Sequence, residues 1–311
     1  MKIRIGTRGS KLALWQAHRV AELLGQEGVE TEIITIETKG DKIQEVSIAK
    51  IGSKGVFTEE IEEQLALGNI DIAVHSAKDM QSELPAGFEL IAFGEREKEN
   101  DVIVSHNKDF RLTEGGKPVK LGTSSTRRVA TLRKYYPQVE PVSIRGNLQT
   151  RIRKMEEGAC DALLLAYAGV HRMEYDDMIV QHLSLEQFTP AVGQGAIAIE
   201  VHQTLEAAKK EAVRRCVNHS PTETRLLAER AFLYKLQGGC SVPVYAFAQL
   251  NSEEELEISG GVIALDGQTR IHITEKGHPS AAESIGNRLA EAVISAGGAK
   301  ILKEIKGEQG V

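Results

Sequence analysis

From residue 2 to about residue 200, short apolar runs rich in β-branched residues alternate with amphipathic stretches of helical period. Few folds accommodate that rhythm: it predicts α/β layers around a mainly parallel sheet. Strands are expected at 2–6, 32–38, 70–75, 88–93, 101–105, 119–122, 142–145 and 162–166, with helices between most of them. No internal repeat or low-complexity segment interrupts the series. Two segments break the rhythm. Phe93-Gly94-Glu95-Arg96-Glu97-Lys98-Glu99-Asn100 is charged and polar, and Thr189-Pro190-Ala191-Val192-Gly193-Gln194-Gly195 is punctuated by glycine. As a crossing and its return they divide the region into one lobe of residues 1–95 with 196–215 and a second of 100–190, facing each other across a cleft.

The last third changes pattern, which argues for a separate domain over 218–311. In Ser220-Pro221-Thr222-Glu223 an N-cap serine, a proline at the first helical position and a capping-box glutamate announce a helix that runs to 236 or 237 and stops at Gly238. Strands at 244–250, 255–265 and 269–274 follow, the last two joined by an Asp266-Gly267 turn, and Ser280-Ala281-Ala282-Glu283 opens a final helix. The expected unit is a small α+β domain with a three-stranded antiparallel sheet.

At 311 residues the chain is long enough for two or three cores, and 41% apolar with 26% charged residues is a globular composition. Only 5% aromatics and a net charge of −6 argue against nucleic-acid binding. No apolar run reaches 18 residues, and Met1-Lys2-Ile3-Arg4-Ile5-Gly6 opens a strand rather than a signal peptide, so no membrane partner and a cytoplasmic location are expected. Three cysteines without paired spacing fit a reducing compartment.

Arginines recur at strand-to-helix turns. Arg8 precedes Ser10, placed to cap one helix; Thr123, Ser124, Ser125, Arg127 and Arg128 crowd a second helix start; and Asn147 lies between Arg145-Gly146 and Arg151 at a third. Helix N-termini offer unpaired N–H groups, and guanidinium forks bind carboxylates in bidentate fashion. Any one such arginine could be a surface ion pair; three together ask for several anions. The chain has neither a G-x-x-x-x-G-K-[ST] loop nor a G-x-G-x-x-G after a strand, so carboxylates spread over a large ligand suit these sites better than one phosphate.

Nine histidines show no metal-ligand spacing, so no metal is expected. His75 lies in His75-Ser76-Ala77-Lys78-Asp79, where a strand end leaves Lys78 and Asp79 near the cleft. That pair is either a plain ion pair or, among so many cations, an ionised carboxylate able to stabilise a substrate cation. Residues 39–57, glycine-punctuated and lysine-bearing, read as a solvated loop or a lid. Cys240, in Gly238-Gly239-Cys240, follows a terminated helix on a glycine turn, as an inert thiol or a tether.

Six segments in order then carry a resemblance over the whole chain: Thr7-Arg8-Gly9-Ser10-Lys11-Leu12-Ala13, His75 to Asp79, Gly122-Thr123-Ser124-Ser125-Thr126-Arg127-Arg128, Ile144-Arg145-Gly146-Asn147, Pro190-Ala191-Val192-Gly193-Gln194-Gly195-Ala196 and Gly238-Gly239-Cys240. Together they resemble the hydroxymethylbilane synthase (porphobilinogen deaminase) family. The resemblance implies two periplasmic-binding-protein-like α/β lobes joined by two crossings plus the small C-terminal domain, which would carry a dipyrromethane cofactor through a thioether to Cys240. It implies condensation of four porphobilinogen molecules, each losing ammonia, then hydrolytic release of hydroxymethylbilane in the tetrapyrrole and haem pathway. It further implies a monomer whose product passes to uroporphyrinogen-III synthase.

By the same resemblance Asp79 is the catalytic carboxylate. Lys78, Asp79, Thr123, Ser124, Ser125, Arg127, Arg128, Arg145 and Gly146 would bind the cofactor, and Arg8, Ser10, Arg145, Arg151 and Arg172 the substrate. Asp41, Lys50, Lys54 and Phe57 match lid positions, whereas Cys160 and Cys216 match no functional cysteine. Two residues depart from the family pattern: Gln81 stands where proline is usual and Thr126 where leucine is common. The alternatives are a non-catalytic two-lobed anion-binding protein and a cysteine-nucleophile hydrolase, the latter with no histidine near Cys240 in sequence.

Overall fold

A computed structural model describes residues 1–42, 57–239 and 242–309. Its elements run β1 (Lys2–Arg8), α1 (Lys11–Gln26), β2 (Glu30–Ile36), α2 (Lys39–Lys42), α3 (Glu59–Ala66), β3 (Ile72–Ser76), β4 (Phe88–Phe93), β5 (Asp101–Val104), β6 (Val119–Gly122), α4 (Thr126–Tyr135), β7 (Val139–Val142), α5 (Leu148–Glu156), β8 (Ala162–Ala166), α6 (Tyr167–Arg172), β9 (Ile179–His182) and β10 (Ile197–His202). They continue with α7 (Ala207–Val217), α8 (Ser220–Lys235), β11 (Val244–Leu250), β12 (Leu256–Ile263), β13 (Arg270–Gly277), α9 (Ala282–Val293) and α10 (Ala299–Gln309).

Three sheets result, in the orders β2-β1-β3-β10-β4, β7-β6-β8-β5-β9 and β11-β12-β13. The first two are the sheets of α/β lobes joined by residues 94–100 and 189–195; the third is antiparallel throughout. The α/β sheets are mixed rather than mainly parallel. β1 pairs in parallel with β2 and β3, and β6 with β7 and β8, but β10 runs antiparallel to β3 and β4, and β5 antiparallel to β8 and β9. The strands that follow a crossing, β5 and β10, enter the opposite sheet from the far side and run against its direction, whereas β4 and β9, which precede the crossings, run with it.

Of the two strands absent from the sequence expectation, β10 is reversed, whereas β9, antiparallel to the reversed β5, runs with β6, β7 and β8. The strand expected at 142–145 lies instead at Val139–Val142 and contains Pro141. Proline is tolerated there because β7 is an edge strand, paired only with β6. Helix α8 begins at Ser220 with His219, not Ser220, at the N-cap position. Glu223 turns away from any capping box to accept from Arg214 and Asn218. The final helical region opens with His278, whose ring accepts from the Ser280 N–H, and continues past a break at 294–298 into α10, where a single helix was expected.

Each lobe has its own core. The amphipathic face of α1, with Ala17, Val20 and Leu24, packs with Ile3, Ile5, Ile72, Val74 and Ile199. In the second lobe Ile103, Leu121, Leu132 and Leu164 cover one face of the sheet, and Val102, Val104, Leu163 and Leu165 the other. Phe232, Ile258, Ile285 and Leu289 centre the third core.

The crossings are fastened by a residue that no motif announced. Glu229 of α8 is fully buried and receives Arg96 Nη1 at 2.6 Å and Nη2 at 3.1 Å, Gly193 N at 2.8 Å and Ala248 N at 2.8 Å. One carboxylate therefore holds both crossings and the first strand of the third sheet.

Candidate active site

Strand ends converge on the cleft. β1 delivers Arg8, β3 delivers the short turn Ala77–Asp79, and β6 and β7 lead into the starts of α4 and α5. The three capping residues expected from sequence are observed: Ser10 accepts from Ala13 N, Ser125 from Arg128 N and Asn147 from Thr150 N. These caps consume one N–H each.

A pocket of about 440 Å³, open to solvent, is lined by Arg8, Ser10, Gln16, Phe57, Thr58, His75, Ser76 and Asp79, among others. The Arg8 guanidinium lies 4.3 Å from the Phe57 ring centroid, a cation–π contact that fixes it over the pocket wall. Gln16 was not singled out from sequence. It is buried in the apolar stripe of α1 and donates to Ser76 Oγ at 2.9 Å. A glutamine among Ala17, Val20 and Leu24 was the available signal.

Lys78 and Asp79 meet the second lobe here. Desolvation pushes the half-buried Lys78 ammonium down to about 8, Arg128 and Arg151 push the same way, and Asp79 and Asp101 only partly compensate. Arg151 is lowered to about 10 by desolvation with Arg128 and Arg145 beside it, against the attraction of Asp79. Its Nε donates to the Gly146 carbonyl at 2.8 Å. Arg172 is lowered to about 10 by burial, donates to Gly195 O at 2.7 Å and packs 5.2 Å from the Trp15 ring centroid.

Burial of these cations is costly unless anions join them. A ligand carrying several carboxylates would restore the balance, so the residues fit a dipyrromethane and its growing chain. Arg128 Nε, buried with no hydrogen-bond partner among the described residues, points the same way.

Asp101 is the hidden support of the arginine pair. It is fully buried and takes Arg127 Nη2 at 2.9 Å and Arg128 Nη2 at 2.7 Å, with Gln194 Nε2 at 2.9 Å. Burial pushes its carboxyl up, but the two guanidinium groups win and hold it far below the usual carboxylate range. Arg127 also donates to the Thr189 carbonyl at 2.9 Å, so it binds the return crossing as well as Asp101. Ser124 donates to Ile144 O at 2.8 Å, bringing two helix starts side by side, and Thr123 Oγ1 accepts from Ser125 N.

The return crossing approaches the Ala77–Asp79 turn closely. At Gly193, with φ of +75°, an added Cβ would lie 2.9 Å from the Ala77 carbonyl carbon and 3.0 Å from Lys78 N. At Gly195, with φ of +92°, it would lie 2.5 Å from Glu97 O. Only glycine fits at either position.

Of the expected lid residues, Phe57 is at the pocket; Asp41 is on α2, its side chain outside the described residues, as are Lys50 and Lys54. Cys240 also lies outside the described residues. Its flanks are given: Gln237 has φ of +50°, Gly238 N donates to Leu233 O, and Val242 N to Gly239 O. Cys160 is buried in a lobe core and Cys216 half-buried. Among the described residues no group of histidine, cysteine and acidic side chains could hold a metal, and no helix is long and apolar enough to cross a membrane.

The family profile described as "Porphobilinogen deaminase, dipyromethane cofactor binding domain" matches residues 3–210, and "Porphobilinogen deaminase, C-terminal domain" matches 224–295. The porphobilinogen deaminase of Desulfosudis oleivorans is 56% identical over 309 residues, covering 99% of both chains. That of Cytophaga hutchinsonii is 54% identical over 304 residues, covering 98% of this chain and 97% of its own. Among solved structures, the methionine-binding protein MetQ aligns with a TM-score of 0.43 at 11% identity, over 68% of this chain and 90% of its own. The family match decides against the non-catalytic alternative. With both profiles and near full-length identity in agreement, the chain belongs to the porphobilinogen deaminase family, transferases that act as hydroxymethylbilane synthases and carry a dipyrromethane cofactor.

Proposed function

We propose that this chain condenses four porphobilinogen molecules head to tail, with loss of ammonia at each step and hydrolytic release of hydroxymethylbilane, and that Asp79 is the catalytic carboxylate. When bound, the dipyrromethane supplies the pyrrole α-carbon from which the chain grows. Asp79 accepts a hydrogen bond from the pyrrole N–H of porphobilinogen and stabilises the cation left on it as ammonia departs. It then takes the α-proton whose loss restores aromaticity. A carboxylate beside Lys78 and Arg151 suits this work, because those cations hold the substrate's own carboxylates next to it.

Arg8, Ser10, Arg145, Arg151 and Arg172 hold the acetate and propionate groups of substrate and growing chain. Lys78, Thr123, Ser124, Ser125, Arg128, Arg145 and Gly146 hold those of the cofactor, with Arg127 acting largely through Asp101 and Thr189. Cys240 is the attachment point, at the end of the segment leaving α8. On the three cores we divide the chain into 1–95 with 196–215, 100–190 and 218–311. A cytoplasmic monomer that hands its product to uroporphyrinogen-III synthase completes the reading.

The observation that carries it is the excess of desolvated cations around one carboxylate at the lobe junction. Intact mass and turnover test it together. The purified protein should exceed its sequence mass by one dipyrromethane and consume porphobilinogen, and Cys240→Ser should lose both. Unmodified wild-type protein without turnover would refute the reading.

A further inference from the structure

The turn that carries Lys78 and Asp79 is only three residues long. Its entry is secured by Ala77 N donating to Ala196 O at 2.9 Å, and its single internal bond, Met80 N to Ala77 O, is long at 3.3 Å. So short a turn holds a carboxylate in place only if its exit is also secured.

The exit is Gln81. Its Nε2 donates to Thr58 Oγ1 at 3.1 Å and to Glu62 Oε1 at 3.3 Å, and its carbonyl accepts Arg230 Nη2 at 3.0 Å. Thr58 is available because its hydroxyl makes no capping bond to α3. Glu62 is buried, and desolvation with Glu200 nearby pushes its carboxyl up, so loss of an amide donor there is costly. Arg230 in turn feels the buried Glu200, which lies 3.1 Å from His75 Nε2. Two elements, α3 and α8, thus converge on one side chain and one carbonyl.

We propose that Gln81 is a positioning residue that fixes the orientation of Asp79 by fastening the turn's exit to α3 and α8; this rests on the catalytic role of Asp79 given above. The backbone gives the physical reason. Met80 sits at φ −73° and ψ 142°, the extended conformation that a following proline selects, and the Gln81 N–H makes no hydrogen bond among the described residues. Proline, the usual residue here in the family, would stiffen this exit through its ring. This chain achieves the same constraint through side-chain hydrogen bonds. The grip also ties Asp79 to α8, the helix that leads to Cys240.

The test uses full-length, cofactor-loaded protein. Gln81→Ala should lower kcat roughly tenfold or more, since displacement of a reacting group by ~1 Å costs on the order of a hundredfold. KM for porphobilinogen should stay within about twofold of wild type, and the intact mass should still show one dipyrromethane. Gln81→Pro should restore kcat, which a variant acting through general destabilisation would not do. Wild-type kcat in Gln81→Ala overturns the inference, as does loss of the cofactor mass in that variant or equal impairment in Gln81→Pro. Failure of the wild-type protein itself to carry the cofactor or turn over would instead refute the proposed function.

Discussion

Replacing Glu229 with alanine should separate the third domain from the crossings, and the structure sets the size of the effect. The carboxylate is fully buried, and the Arg96 side chain it pairs with is 1% exposed. Without it, a buried guanidinium keeps Gln194 O at 2.9 Å, Glu99 at 3.6 Å and the face of the Phe247 ring, and two backbone donors, Gly193 N and Ala248 N, lose their acceptor. Breaking one partner out of a buried ion pair costs about 3–5 kcal/mol. With an unfolding entropy of ~2.1 cal/mol/K per residue, a 311-residue chain spreads that cost over roughly 0.65 kcal/mol/K. The melting temperature should fall by roughly 5–8 °C in differential scanning calorimetry. Glu229→Gln keeps an acceptor but loses the charge and should fall between wild type and Glu229→Ala. A Glu229→Ala melting temperature within about 1 °C of wild type would show that this junction does not carry the load assigned to it.

Asp79→Ala should remove nearly all turnover while leaving the cofactor mass and the melting temperature unchanged; a normal kcat would refute its role. Arg128→Leu should yield protein lacking the dipyrromethane mass and, because Asp101 then retains only Arg127 as a charged partner, a lower melting temperature; full loading would remove Arg128 from the cofactor set. The sign for Lys78 is opposite to that of a favourable ion pair. Its folded value of about 8 lies below the ordinary 10.5, so below pH 8 the folded protein bears the full cost of a desolvated ammonium, and the cost fades as pH rises towards 10.5. In a cofactor-free Cys240→Ser background, Lys78→Met should therefore be the more stable protein at pH 7, with the gap closing by pH 10. A gap independent of pH, followed by thermal melting, would contradict that placement.

What the sequence revealed and what it concealed divide by distance along the chain. Ser10, Ser125 and Asn147 were legible as caps because a cap bonds an N–H only three residues away. The Asp266-Gly267 turn was legible for the same reason, with Gly267 at φ of +78°. Glu229 and Arg96 are 133 residues apart, Arg127 and Thr189 62, and Gln81 and Arg230 149, so no spacing rule could pair them. β10 was missed although five of its six residues are buried, because Ile197–His202 follows the return crossing without a helix to announce it. The anion-rich ligand could be inferred from arginines at three helix starts, but which of them face the ligand depends on Asp101, read from sequence only as the first residue of a strand.

The single carboxylate that gathers both crossings also governs where movement can occur. Rotation of one lobe against the other must turn on residues 94–100 and 189–195, and both are bonded to the helix from which the chain sets out towards Cys240. The pivots and α8 are consequently fastened to each other. On the proposed reading, the lobes would swing about α8 to bring each new terminus of the growing chain to Asp79.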